Sequence, residues 1–446
     1  MKRAFLFLNR GGDFLGIQQR VAKEGRDCYA WYHPEATKGT GKTGKGLIEI
    51  VDDYADILMK YAKKKDELVI LIDDNSWGDM CDYLRSEGWN VCGSSGYGDT
   101  IEHQRDLGNA LAKDIGLLLP QTKKFTDFAA GYLFVQSVKK ADPGARFVFK
   151  ANGVDLAGSS KTYVSKSLDD LDWFMHWVEK DSKVKGYKCE SFILSLVVEG
   201  LEADYACWYN GQKFAPAVCL TFEQKKLHNL GAAQGCFGQV LTFIPSKSSK
   251  FFTEHFARLA SNEQFRKSGP NEWAINNIVS EKNHEPYFLE FTPRFGWDST
   301  FGELALLQDA GKSIGDFFEI IATGGTFPKD YFPYGRFSAT ARLFSESHGT
   351  KSDDVKGKPI SWKKEEEDNF WWYAVTKTDE DMHEITGNPI GVATACGDTP
   401  GEAMAKLYAL IKPENQNLMT PDLFHSEYIG EGVDESLAKL KDWGWL

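Results

Sequence analysis

Residues 287–296 read YFLEFTPRFG, three strongly polar side chains spaced through an aromatic run. In an extended strand Glu290, Thr292 and Arg294 fall at i, i+2 and i+4, so all three project from one face. Leu289 and Phe291 then point the other way, into a core. A carboxylate, a hydroxyl and a guanidinium in a row suit a metal ion beside a phosphate: hard oxygens for Mg²⁺, arginine for the phosphate. A plain Glu–Arg pair on a sheet face fits the same spacing.

Two segments upstream extend this reading. FVFKANG (147–153) is an apolar strand ending in Lys150, and a lysine closing a buried strand either snorkels to solvent or meets an anion. ILSLVVEGLEADYACW (193–208) is an apolar strand running into a glycine turn that carries Glu199 and Glu202. Backbone groups there can read an adenine edge, and a carboxylate can take ribose hydroxyls.

Around this centre the chain alternates differently from end to end. At the N-terminus, Arg3–Leu8, Cys28–Tyr32 and Leu68–Ile72 read as strands. Gly16–Glu24, Ile48–Tyr61 and Trp77–Glu87 read as helices between and after them. That βαβαβ rhythm predicts a parallel sheet, with Gly11, Gly12 and Gly16 at its first strand-to-helix turn. One helical stretch covers 101–116 and another Thr126–Lys140, capped by Thr126 or Asp127. Short strands follow at Arg146–Lys150, Tyr163–Ser165, Ser191–Val198, Tyr205–Tyr209 and Ala215–Thr221, an α+β pattern. The last hundred residues add strands Phe337–Phe344, Trp371–Thr376 and Ile390–Cys396 and a helix Pro400–Leu410. The charged stretch Lys351–Asp368 reads as a solvated loop. Ala36–Thr43 (ATKGTGKT) approaches a phosphate-binding GxxxxGK[ST] loop. Yet His33 and Pro34 interrupt the strand before it, and Gly44 and Gly46 stand where its helix should open.

Composition limits the partners. The 446 residues carry 52 basic and 64 acidic side chains, a net charge of −12, which disfavours non-specific binding to nucleic acid or anionic lipid. No apolar run approaches the roughly 18 residues of a membrane span. The apolar stretch Ala4–Leu8 is short of the roughly 7–15 residues of a secretory core. Eight scattered cysteines without a CxxC pair read as reduced core thiols, and a cytoplasmic location is expected.

The order of these motifs resembles the ATP-grasp superfamily, and within it the phosphoribosylamine–glycine ligase family, over about residues 90–445. Glu102-His-Gln-Arg105 is similar to that family's E-x-S-K, and residues 147–153 to its V-K-A-D-G strand. Val198–Asp204 is similar to its hinge, Glu223–Lys226 and Gly235–Gly238 to its D-H-K-R and G-G-M-G stretches, and Glu290–Gly296 to its E-F-N-x-R-F-G strand. GVATACGDTPGEAMAKLYALI (391–411) is similar to its closing strand–helix unit.

The resemblance implies an ATP-grasp fold, α/β and α+β, in three parts. These are an N-terminal parallel-sheet domain (1–118), a nucleotide-binding region (119–332, with a lid at about 125–195) and a small mixed C-terminal domain (333–446). It implies ATP with Mg²⁺ or Mn²⁺, held by Arg105, Lys150, Leu196, Val198, Glu202 and Lys225 for the nucleotide and by Glu290, Thr292 and Asn276 for the metal, with Lys150 and Arg294 catalytic. It implies phosphorylation of a carboxylate by ATP and displacement of the phosphate by an amine. Two unit charges about 4 Å apart repel by about 4 kcal/mol at an effective dielectric of 20, so cations must surround the transferring group. The departures are specific. The metal-strand asparagine is Thr292, an acid on the neighbouring strand is Asn276, and the G-N-G-G-R-E-H-A turn reads NRGGDFLG. Asp13 there would repel a ribose phosphate, although Arg10 or Arg20 offers charge nearby. Arg294 remains near the transfer point to meet a carboxylate, so a small amino acid such as glycine is the expected donor, and Asp13 makes an amine other than phosphoribosylamine, for instance on a modified nucleoside, the expected acceptor. The alternatives are the family's own reaction, a nucleotide-binding protein without turnover, and a P-loop NTPase using Lys42.

Overall fold

Five short strands with nearly continuous apolar sequence open the chain, and in the computed structural model all of them pair in parallel. Their order is Glu49–Ile50, Cys28–Tyr32, Ala4–Asn9, Leu68–Ile72, Asn90–Cys92. The structure describes residues 2–9, 13–34, 43–73, 75–152, 162–185, 189, 191–230, 233, 235–347 and 349–446. Strands buried on both faces need helices on both sides, and Leu15–Lys23, Tyr54–Tyr61 and Gly78–Ser86 follow the strands in alternation. The sequence reading of a helix from Ile48 is corrected. Glu49–Ile50 joins the sheet edge, and the helix starts at Tyr54 because the Asp53 side chain caps it by accepting from the Ala55 amide at 2.8 Å.

The described residues divide into two compact units, 1–96 with 204–274 and 293–446, and 97–203 with 275–292. The larger unit holds the parallel sheet and a second, antiparallel sheet. Residues 204–209 lead that sheet, followed by Ala217–Gln224, Gly238–Pro245, Phe337–Ser345, Gly391–Gly397 and Phe370–Trp372. The helices Trp297–Asp309 and Pro400–Ile411 also belong to this unit, the latter capped by Thr399. A small sheet made of Val375–Lys377, His383–Ile385, Pro359–Trp362 and Leu418–Met419 stands apart from the others. Lys351–Asp368, read from its charge as a loop, is mostly ordered. It contains the helix Ser352–Val355 and the strand Pro359–Trp362, whose Trp362 packs on Trp372 and His383 at ring distances of 4.6 and 4.5 Å. The expected strand Trp371–Thr376 breaks in two, because the Tyr373 and Ala374 amides both turn to the Ile390 carbonyl.

The smaller unit is a four-stranded antiparallel sheet, Thr122–Phe125, Phe192–Leu196, Phe147–Ala151, Thr162–Val164, backed by the helices Phe128–Ala141 and Leu168–Lys185. Its core is aromatic, with Phe149 stacked on Phe192 at 4.9 Å. Asp127 caps the first helix by accepting from Ala130. The same unit holds residues 275–280, the strand Pro286–Thr292 beside them, and two helices, Gly96–His103 and Arg105–Asp114. A single helix over 101–116 was expected. Gln104 is extended instead (φ −106, ψ 92), so Arg105 opens a new helix. Among the described residues no helix is long and apolar enough to cross a membrane, and all eight cysteines are free thiols.

Candidate functional site

In the smaller unit the sequence-distant polar residues come together around one strand. Lys150 ends Phe147–Ala151 with its side chain buried, and its ammonium donates to the Leu289 carbonyl at 2.8 Å. The neighbouring residue, Glu290, pairs with Arg105 through Oε2. Its Oε1 faces the Asn276 side-chain amide at 3.4 Å. Arg105, Asn276 and Glu290 therefore meet, and Lys150 arrives on the adjoining peptide. Thr292, half-buried, closes the strand. The reason is local: the strand Pro286–Thr292 is anchored by Phe288, whose amide donates to Leu118 and whose ring packs on Phe291 at 4.6 Å. Phe288 and Phe291 thus share the core, and Leu289 is only half-buried, which corrects the expectation that Leu289 and Phe291 form the core pair.

Arg294 does not lie on this strand. Pro293 lacks an amide hydrogen and ends the ladder at Thr292, so the even-numbered row is Glu290 and Thr292 only. Arg294 belongs to the larger unit, in the turn before the helix Trp297–Asp309. Phe295 fixes that turn by packing against Phe14, Trp208 and Phe318 at 4.9, 5.2 and 5.8 Å.

The proposed adenine segment follows the strand Phe192–Leu196. The Leu196 and Val197 amides donate to Gln121 and Arg146 carbonyls, which leaves the segment through Val198 extended and half-buried. Glu199 pairs with Arg146 at 2.7 Å, whereas Glu202 is exposed at the start of Gly200–Tyr209. Lys225, in the larger unit, stands between Asp204 and Glu223 at 3.3 and 3.4 Å.

The glycine turn 10–12 and most of Ala36–Thr43, including Lys42, lie outside the described residues. Of their surroundings, Arg20 is spoken for. Its guanidinium donates to the Glu367 and Phe370 carbonyls and lies over Trp371, so the expectation that it serves an anion is corrected. Thr43 is buried with its hydroxyl on Thr386 at 2.6 Å, and residues 43–47 form turns rather than a helix, which removes the P-loop context. Asp13 is half-buried and close enough to the Tyr373 phenol to help raise it.

Two acids escaped the sequence reading. Glu272 and Glu303 are fully buried in the larger unit, and burial pushes both carboxyls up, Glu303 well above the usual range with the Glu272 charge adding to it. The one carboxylate of NEWAINNIVS, and Glu303 within the apolar run FGELALL of the helix Trp297–Asp309, were the available signal. Among the described residues no cluster of three or more His, Cys, Asp or Glu is placed to hold a metal ion.

The N-terminal parallel sheet and the antiparallel sheets make this an ATP-grasp fold, as the likeness to solved structures shows. The chain superposes on phosphoribosylamine–glycine ligase from Thermotoga maritima with a TM-score of 0.70 at 19% identity, covering 96% of this chain and 100% of that one. It also matches a 2-oxoglutarate carboxylase biotin carboxylase domain from Hydrogenobacter thermophilus, solved with MgADP and bicarbonate (TM-score 0.61, 11% identity, 95% and 92% covered). A third match is N5-carboxyaminoimidazole synthetase from Staphylococcus aureus complexed with ADP (TM-score 0.56, 12% identity, 93% and 99% covered). No protein-family model matches the sequence.

Proposed function

We propose that this protein is an ATP-dependent ligase that joins a small carboxylic acid to an amine through an acyl phosphate. The observation that carries the reading is the meeting of Lys150, Arg105 and Glu290 on one half-buried strand. Phosphoryl transfer to a carboxylate brings anions together, and positioned cations remove that repulsion without any protein nucleophile. In this reading Lys150 and Arg105 hold the ATP phosphates. Leu196 and Val198 line the adenine, Glu202 takes the ribose hydroxyls, and Lys225 adds a cation. Arg294 meets the carboxylate of the donor.

The residues fit a magnesium ion that arrives with the nucleotide. Glu290 offers one carboxylate, already charge-compensated by Arg105, and Asn276 and Thr292 offer neutral oxygens, a donor set suited to an ion that keeps water and phosphate ligands. When bound, the ion would neutralise charge on the transferring phosphate. The donor is a small amino acid, and the acceptor is an amine other than phosphoribosylamine because Asp13 takes the place of a phosphate-compatible group. The three-part division at residues 118 and 332 belongs to the same reading.

The test is ADP release by the purified protein against a panel of amino acids and amines. Release dependent on both a carboxylate and an amine supports the ligase; efficient formation of glycinamide ribonucleotide would refute the changed acceptor. The single carboxylate at the metal position favours a second reading, nucleotide binding without turnover. ATP binding with no ADP release under any pair of substrates would establish it.

A further inference from the structure

The turn that carries Arg294 is held from an unexpected side. Glu272 reaches out of the strand Asn271–Ser280, and its Oε2 accepts from the Gly296 amide at 2.8 Å and from the Thr300 hydroxyl at 3.0 Å. It thereby ties the N-cap residue of the helix Trp297–Asp309 to the first turn of that helix. Its neighbour Asn271 donates to the Pro293 carbonyl, so consecutive residues of one strand grip both ends of the segment 293–296. Behind Glu272 stands Glu303, whose Oε2 accepts from the Trp208 indole at 2.7 Å. Trp208 also packs edge-on against Phe295. The two carboxyls hydrogen bond to each other, and the Cys219 thiol also meets the Glu303 carboxyl. One proton between the two acids lets them face each other without charge repulsion.

We propose that Glu272 is a positioning residue for Arg294: braced by Glu303, its carboxylate fixes the Pro293–Gly296 turn so that the guanidinium is presented in one orientation. Burial raises both carboxyls, Glu303 the further because the Glu272 charge adds to it, which places the proton of the pair on Glu303, while the Arg294 charge acts against the rise at Glu272. The catalytic consequence rests on the ligase reading; the structural one does not.

The test uses three variants of the full chain and two readouts. Glu272→Ala removes the acceptor, Glu272→Gln keeps an acceptor oxygen without charge, and Glu303→Gln supplies an amide that donates to Glu272 while accepting from Trp208. Amide hydrogen exchange over 293–300 should quicken at least about tenfold in Glu272→Ala and stay near wild type in Glu303→Gln. With the amino acid that supports turnover, KM for that acid should rise about tenfold or more in Glu272→Ala, while ATP affinity moves less than about threefold. Glu272→Gln should keep slow exchange and show a smaller rise in KM, which also covers the case of an unfolded alanine variant. Unchanged exchange in Glu272→Ala, or Glu303→Gln as damaging as Glu272→Ala, overturns the proposal. A wild-type protein that never releases ADP overturns the ligase reading instead, and the exchange measurement still decides the positioning role.

Discussion

Lys150 is the residue whose replacement separates a structural cation from a working one. Its ammonium is buried and donates to the Leu289 carbonyl, so Lys150→Met keeps the aliphatic stem and gives up that hydrogen bond, worth about 1 kcal/mol of stability. If the lysine holds transferring phosphate, ADP release should fall about 10²–10³-fold while the melting temperature barely moves. Equal turnover in wild type and variant would remove Lys150 from the site. Glu290 invites the complementary experiment. Glu290→Gln keeps a hydrogen-bond acceptor for Arg105 but removes the carboxylate that faces Asn276, so the Mg²⁺ concentration for half-maximal ADP release should rise strongly. Thr292→Asn, which adds an amide oxygen, should be tolerated. The opposite pattern, a silent Glu290→Gln and a dead Thr292→Asn, would mean that the strand does not carry the metal. Lys150 and Glu290 were legible in the sequence because a charge inside an apolar run is conspicuous. Glu272 and Glu303 have the same signature and were missed, because nothing local says that two such acids share one proton.

Among the elements, the segment leading into Gly200–Tyr209 is tightly constrained. A Cβ on Gly200 would lie 2.2 Å from the Val279 carbonyl oxygen, so Gly200→Ala must push the two backbones apart. It should cost about 1–3 kcal/mol, read as a lowered urea midpoint, and weaken ATP binding through displacement of Val198 and Glu202. Normal stability and normal ATP affinity together would show that this approach is not needed. Elements with strong caps or long apolar runs, such as Leu68–Ile72 and Pro400–Ile411, follow directly from their residues. Boundaries set by distant partners do not. The split at Tyr373 falls where two backbone amides find the Ile390 carbonyl, 16 and 17 residues further on, a pairing no local pattern records.

At the scale of the whole molecule, stability should fall in acid through a buried histidine. His255 is held down to about 3 by burial, with the Arg258 charge adding to it, and it lies against the Tyr205 hydroxyl. Its ordinary value is near 6.5, so the folded state resists protonation that the unfolded chain accepts. The stability is therefore complete above about pH 6.5 and is lost toward pH 3, with a limiting slope of about 1.4 kcal/mol per unit. His255→Gln, which can still accept from Tyr205, should flatten the urea midpoint between pH 6.5 and 4; an unchanged slope would put the acid sensitivity elsewhere. The sequence by itself determined the parallel N-terminal sheet, the absence of a long apolar span and the order of nucleotide-type motifs. Each of these is written in local periodicity, in net charge, or in spacing along one strand. Only the tertiary structure decided that Arg105 answers Glu290, that Lys150 rests on Leu289, that Arg20 is consumed by packing, and that Arg294 hangs from a turn gripped by Glu272. Those pairings join residues between 22 and 350 positions apart, as with Glu272–Arg294 at the short end and Arg20–Phe370 at the long end, and no periodicity records which side chain closes a loop of that length.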